Sequence, residues 1–317
     1  MVKRLRMLHF RDTQEAKRRL SRMEVDGHER PATIHAMKES TTSSPSLSRR
    51  FRLVLLHLAE EARRDLDSLA GRPMRAIHSL RTRMKNLRAL LVLVKPCIPK
   101  PSLKAVNKLA GGIKDAFSAQ RDAHIIATMR VRFPGLPDLD GKGKAALTNP
   151  ERDRAAKADA SRLIRMVSKL DLHGLTWAAV IGGYLKTCRA GQKAMKACER
   201  ERSAESFHEW RRQVKDLFYQ SQVLQPLGGM KRRRSAADRL GDRLGEMNDL
   251  QLLRVAAKTS RSKDAVKRIA KEQRALKPAI FKAAEKLFCE RAREIERELE
   301  RCVKFQPSIT AQAVRQT

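Results

Sequence analysis

The stretch His78-Ser79-Leu80-Arg81-Thr82-Arg83-Met84-Lys85-Asn86-Leu87-Arg88 decides how this chain is read, because much of it is written again at His208-Glu209-Trp210-Arg211-Arg212-Gln213-Val214-Lys215-Asp216-Leu217-Phe218-Tyr219. Each copy sets an arginine three residues after its histidine and a lysine seven after it. On an α-helix, offsets of three, seven and ten return to one face and cover about 15 Å of axis. The result is a one-sided cationic stripe, made twice. Like charges at such spacings weaken an isolated helix. The stripe therefore calls for an anion or a bordering carboxylate, and an extended polyanion answers best.

Working outward from the stripes, the pattern predicts helices throughout. One runs from Arg49 to Leu69 with Phe51, Leu55, Leu58, Ala62, Leu66 and Leu69 inward. Gly71 ends it, and Pro73 stands where a first helical residue belongs. The first stripe helix stops before Pro96, and a third helix is expected from Ser102 to about Val131. The stretch Phe133-Pro134-Gly135-Leu136-Pro137, with Gly141 and Gly143, reads as an internal loop, and a fourth helix spans about Pro150 to Leu170. After Gly174 the plan repeats: Leu175 to Arg200, the second stripe helix from Ser203 to before Pro226, a helix from Gly229 to near Ala257, and a last long one from Ser262 to Lys304. No run alternates with the period of a strand.

A second pair of segments matches. Phe117-Ser118-Ala119-Gln120-Arg121-Asp122 answers to Leu244-Gly245-Glu246-Met247-Asn248-Asp249, each at a similar distance beyond its stripe. A carboxylate beside a cationic face can orient an arginine or lysine head, so Asp122 and Asp249 are read as orienting groups. The expected class is all-α, two pseudo-symmetric four-helix bundles from an internal duplication. The expected segments are a flexible basic arm at 1–48, a helical domain at 49–304 (bundles 49–171 and 174–304) and a tail at 305–317.

Composition agrees: 69 Lys plus Arg against 35 Asp plus Glu give a formal net charge of +34. Such a field concentrates anionic partners. Aromatic residues make up only 4%, few for a chain that would stack on single-stranded nucleic acid. Cys97, Cys188, Cys198, Cys289 and Cys302 form no C-x-x-C pair, which speaks against a disulfide framework or thiolate zinc site and for a reducing cytoplasm. Leu90-Leu91-Val92-Leu93-Val94 is too short to span a membrane, and no apolar segment like that of a signal peptide follows the basic N-terminus.

The H-x-x-R-x-x-x-K stripe, its repeat, and the Arg-Asp and Asn-Asp segments after them resemble the conserved histidine α-helical domain family, CHAD, over roughly residues 49–304. The resemblance implies two helical bundles that bind inorganic polyphosphate in a basic groove. It places His78, Arg81, Lys85 and Arg88 on one wall and His208, Arg211 and Lys215 on the other, with Arg121, Arg212 and Tyr219 as further expected contacts. The chain departs from the family pattern at Asn86, at Phe218 and at Phe117-Ser118.

Duller readings stand beside these. A basic helix face is commonly just solvated, the two histidines can be structural, Trp210 and Phe218 suit a core, and Lys231-Arg232-Arg233-Arg234 suits a solvated helix start. Glu209 and Asp216 are expected to lie away from the stripe. No phosphate loop of the G-x-x-x-x-G-K type is present, and Glu294-Ile295-Glu296-Arg297-Glu298 lacks the lysine of an E-x-E-x-K strand. The expectation is a binder with no catalysis, cofactor or metal. Its partner would be polyphosphate, in the cytoplasm or on polyphosphate granules, with no membrane contact and only non-specific nucleic-acid binding. The other reading is a nucleic-acid or nucleoid protein driven by charge and counterion release.

Overall fold

A computed structural model describes residues 46–133, 136, 149–227 and 229–304. The expected arm, apart from residues 46–48, the expected tail at 305–317 and most of the expected loop lie outside the described residues.

Among the described residues the regular structure is helical, with no strand. Helix α1 (Leu47–Asp67) starts where the Ser46 hydroxyl accepts from the Arg49 amide, slightly before the expected helix start at Arg49. It buries Phe51, Val54, Leu55, Leu58, Ala62 and Leu66. Helix α2 (Pro73–Val94) opens on Pro73, whose missing N–H costs nothing in a first turn, and closes in a short 3₁₀ turn at Lys95–Cys97.

The expected third helix is two. Helix α3 (Lys100–Asp115) ends, Phe117 leaves helical geometry, and α4 (Ser118–Met129) sets off anew. The Phe117 ring is fully buried, with the Arg152 guanidinium 4.6 Å from its centroid. Burial of this ring marks the bend.

Helices α5 (Pro150–Ser168), α6 (Trp177–Glu201) and α7 (Ala204–Val223) are capped by Asn149, Thr176 and Ser203, each accepting a first-turn amide. Helix α8 (Met230–Thr259) follows Gly229, which has a left-handed φ of 62°. The expected last helix also divides, into α9 (Lys263–Phe288) and α10 (Ala292–Lys304). The break frees Glu290 to meet Arg232 and Arg233.

Helix neighbours close into rings. In the first half α1, α2, α3 and α5 pack in a cycle; in the second α6, α7, α8 and α9 do so, with α10 on α6. Helix α4 departs from this plan and lies against α2 and α8. Ile126 on α4 joins Phe133, Leu136, Leu250, Leu253 and Ile269 in one apolar cluster, so part of the expected loop is anchored to second-half helices.

The halves also meet along α2. The Gln220 side-chain amide donates to the Ala89 carbonyl (2.9 Å), and a Cβ at Gly183 would stand 2.9 Å from the Leu93 Cα, so only glycine lets α6 approach α2 this closely. Burial repeats position for position between 71–94 and 201–224 except at Ser79/Glu209, Thr82/Arg212 and Asn86/Asp216. The stripes thus occupy equivalent positions on α2 and α7.

The Lys231-Arg232-Arg233-Arg234 run is only partly the solvated helix start expected: Lys231 and Arg232 are exposed, but Arg233 and Arg234 are not. Arg233 is 5% exposed; its Nε and Nη2 donate to Glu290 (3.0 and 2.6 Å), and it also pairs with Glu298. Arg232 pairs with Glu290 too, and Arg234 donates to Gln225. These bonds tie α10 and the turn before it to α8.

Candidate functional site

The Arg81 guanidinium on α2 donates through Nη1 to the Lys114 carbonyl (2.6 Å) and to the Ser118 hydroxyl (2.8 Å). Its counterpart Arg211 on α7 lies against Gly245, the residue matching Ser118, where an added Cβ would sit 3.3 Å from Nη2. The serine in the first half binds the guanidinium; the glycine in the second makes room for it. The departure at Phe117-Ser118 is therefore compatible with the same geometry.

Arg121 joins the halves. Its Nη1 donates to Asp122 (2.9 Å) and its Nη2 to Asp249 (2.6 Å), so both expected orienting carboxylates hold this one arginine. Lys85 stands half-buried among these cations. Burial first, then the charges of Arg211, Arg81, Arg121 and Lys114, lower its ammonium from 10.5 to about 7. Burial likewise lowers Arg81 and Arg211 from the ordinary arginine value, with Arg121 adding like-charge repulsion to both. Arg81, Lys85 and Arg211 have no ion pair among the described residues, and the Arg211 Nε is buried without a hydrogen-bond partner. Cations from both stripes therefore converge with a deficit of counter-charge.

Not every expected residue belongs to this convergence. Lys215 is drawn toward α8, with Asp242 Oδ1 at 3.3 Å and Asp238 Oδ1 at 3.6 Å, and its stem crosses Gly241, where a Cβ would approach Cε to 2.9 Å. Arg212 turns to the surface and pairs with Glu209 (2.6 and 2.9 Å). Tyr219 is corrected from a binding position to a core one: it is 7% exposed, and burial raises its phenol well above the usual range. Trp210 is fully buried against Phe281 (5.5 Å), and half-buried Phe218 lies beneath the Lys215 ammonium (5.1 Å).

His78 and His208 are both exposed, and His208 Nδ1 lies 3.0 Å from the Asn248 side-chain Oδ1. Asp216 does not stand apart from the stripes as expected. Burial raises it from 3.8 to about 6, opposed by the positive charges of Arg212 and Arg88. Arg88, whose Nε is buried without a hydrogen-bond partner, therefore has an acid near it.

Sequence reasoning missed Lys114, whose carbonyl holds Arg81 and whose ammonium pairs with Asp115 (2.8 Å). No local signal marks it, because the group that holds Arg81 is a main-chain carbonyl at the end of α3, brought beside Ser118 by the break at Phe117.

The geometry defines an all-helical protein with an underneutralised cationic cluster between matched helices, the chemistry of an anion receptor. The CHAD domain family matches residues 52–258, and the chain belongs to it. That match runs from α1 through α8 and leaves α9 and α10 beyond it. No curated protein and no solved structure matches the chain significantly. Among the described residues no helix is long and apolar enough to cross a membrane, and no group of three or more His, Cys, Asp or Glu could hold a metal ion.

Proposed function

We propose that the chain binds inorganic polyphosphate, with Arg81, Lys85, Arg121 and Arg211 at the centre of the site and His78, His208, Arg88 and Lys215 along its extension. The observation that carries this reading is the convergence of Arg81, Lys85 and Arg211 without ion pairs of their own. Polyphosphate is thin and flexible, with about one charge per unit, so it can follow matched stripes; each phosphate contact would be a charge-assisted hydrogen bond. A DNA duplex is too wide to enter between helices and would meet the outer surface only. CHAD membership supports the same ligand class.

The reading is of binding without hydrolysis. Phosphoanhydride cleavage generally needs carboxylates free to hold a divalent metal, whereas Asp122 and Asp249 are both engaged by Arg121. A protein with this site would dock on polyphosphate granules.

The test is competition. Labelled long-chain polyphosphate bound to the full chain is challenged at fixed salt with duplex DNA, RNA and pyrophosphate, each at equal phosphate concentration. Retention of polyphosphate is expected; displacement by DNA would reduce the interaction to charge alone. With Mg²⁺ or Mn²⁺ present, no phosphate should be released above background, and turnover lost on Asp122→Asn or Asp249→Asn would make those residues metal ligands.

A further inference from the structure

A cavity of about 380 Å³ opens in the second half between the start of α7, the middle of α8 and α9. That volume lies in the range of small-molecule pockets, about 300–1,000 Å³. Four cations line it, Arg202, Arg254, Arg274 and Lys277, and no carboxylate does. None of the four has an ion pair among the described residues, and the Arg254 Nε is buried with no hydrogen-bond partner.

The rest of the lining is of a different kind. Phe207 and Met247 give it an apolar wall, with the Lys277 ammonium 5.9 Å from the Phe207 ring centroid. Three amides, Asn248, Gln251 and Gln273, also face it. Gln273 is 8% exposed, and its side-chain amide donates to Gln251 Oε1 (3.2 Å), so this pair is already held in place. Ser203 and Ala204, at the start of the 20-residue helix α7, form part of the rim, where first-turn amides are left over for an acceptor.

The cavity is not a second copy of the stripe. Pro73, Ile77, His124 and Ala127 of the first half stand at the places of Ser203, Phe207, Gln251 and Arg254, so neither the cap nor the inner arginine is repeated. Gln273, Arg274 and Lys277 come from α9, beyond the part of the chain that the family matches.

We propose that this pocket binds a nucleoside mono- or diphosphate. The phosphates would lie among Arg254, Arg274 and Lys277. The flat base would lie against Phe207 and Met247, with its polar edge on the Gln251–Gln273 amides. Polyphosphate offers no flat apolar part to use that wall, whereas a nucleotide uses both kinds of lining.

Titration calorimetry of the full chain with ADP, AMP, adenosine and orthophosphate tests this. Saturable one-to-one binding of ADP or AMP is expected, with orthophosphate and adenosine each weaker by about tenfold or more. Arg274→Ala with Lys277→Ala should weaken ADP by at least about tenfold and leave polyphosphate affinity unchanged. Lys85→Ala should do the reverse. Arg274 is exposed, so Arg274→Ala alone serves if the double variant does not fold. No saturable nucleotide binding, orthophosphate binding as tightly as ADP, or nucleotide affinity lost in Lys85→Ala and kept in the pocket variant would each overturn the proposal. Failure of polyphosphate binding with nucleotide binding intact would sink the groove reading alone.

Discussion

Lys85 makes anion affinity depend on pH with a sign and size that follow from its surroundings. Its ammonium sits at about 7, lowered by burial first and then by Arg211, Arg81, Arg121 and Lys114. A polyanion laid across it favours the charged form, so binding above neutrality takes up a proton and affinity falls as pH rises. About a tenth of Lys85 is protonated in the free protein at pH 8, and about a hundredth at pH 9. Relative to the plateau below pH 7, polyphosphate affinity should thus drop about tenfold at pH 8 and up to about 100-fold at pH 9. Stability moves the other way. The unfolded chain holds its Lys85 proton to about 10.4, so between about 7 and that value the unfolded state binds more protons. The cost of burying the charge is full below pH 7 and is recovered as pH rises through the window. Anisotropy of end-labelled long-chain polyphosphate at constant ionic strength, from pH 7.5 to 9.5, reads the effect above the ordinary histidine range. Lys85→Arg keeps its charge throughout, so its profile should be flat. A flat wild-type profile, or a slope that persists in Lys85→Arg, would refute the placement of Lys85 against the anion.

The remaining predictions use other contacts. Lys215→Ala should cost less affinity than Lys85→Ala because Asp238 and Asp242 already attend Lys215, and Asp238→Asn with Asp242→Asn should tighten polyphosphate in the same anisotropy assay. Asp216, raised by burial to about 6, binds its proton more tightly folded than unfolded, a contribution present below about 4 and lost as pH rises through 6. Asp216→Asn should therefore stabilise by about 1–3 kcal/mol at pH 7.5 in urea unfolding and give no gain near pH 4. Arg233→Ala removes the buried partner of Glu290 and Glu298, which are themselves partly exposed, and Glu290 keeps Arg232, so it should cost about 1–3 kcal/mol in the same experiment. Polyphosphate affinity of the folded fraction should be unchanged.

The parts of this fold legible in sequence were those written in local chemistry. Pro73 at a first helical position, a start at Ser203, and the stripe offsets of three and seven placed α2 and α7 and their shared face. The two missed breaks have no such local mark. The bend at Phe117 accompanies a ring buried beneath Arg152, and the gap before α10 accompanies Glu290 reaching Arg232 and Arg233; each is a tertiary contact between distant residues. Tyr219 was misplaced because α7 buries more than one face. Trp210, Val214 and Leu217 form the inner stripe, while Tyr219 and Gln220 meet α2, so a one-sided helix was the wrong template. The divergence between Lys85 and Lys215 was likewise hidden, since it depends on Asp238 and Asp242, carried by α8.

That divergence sets how the two walls share an anion. Phe218 stands in the second stripe where Arg88 stands in the first, but the larger difference between the walls lies at the lysines. Lys85 is charged against its surroundings, so any phosphate that reaches it relieves repulsion as well as forming a bond. Lys215 has two carboxylates within 3.6 Å, and a phosphate must displace them. Their side chains are 49% and 71% exposed, so each pair in water contributes at most about 1 kcal/mol. A charge-assisted phosphate contact, about 1.5–3 kcal/mol, can exceed that. A polyphosphate already held at Arg81, Lys85 and Arg211 pays no new association cost to extend to Lys215, whereas pyrophosphate is too short to reach beyond the centre. On that reading a preference for long chains follows from their reach to Lys215: the carboxylates on α8 leave it engaged until a ligand anchored at the centre arrives, so removing them should tighten long chains and leave pyrophosphate unchanged.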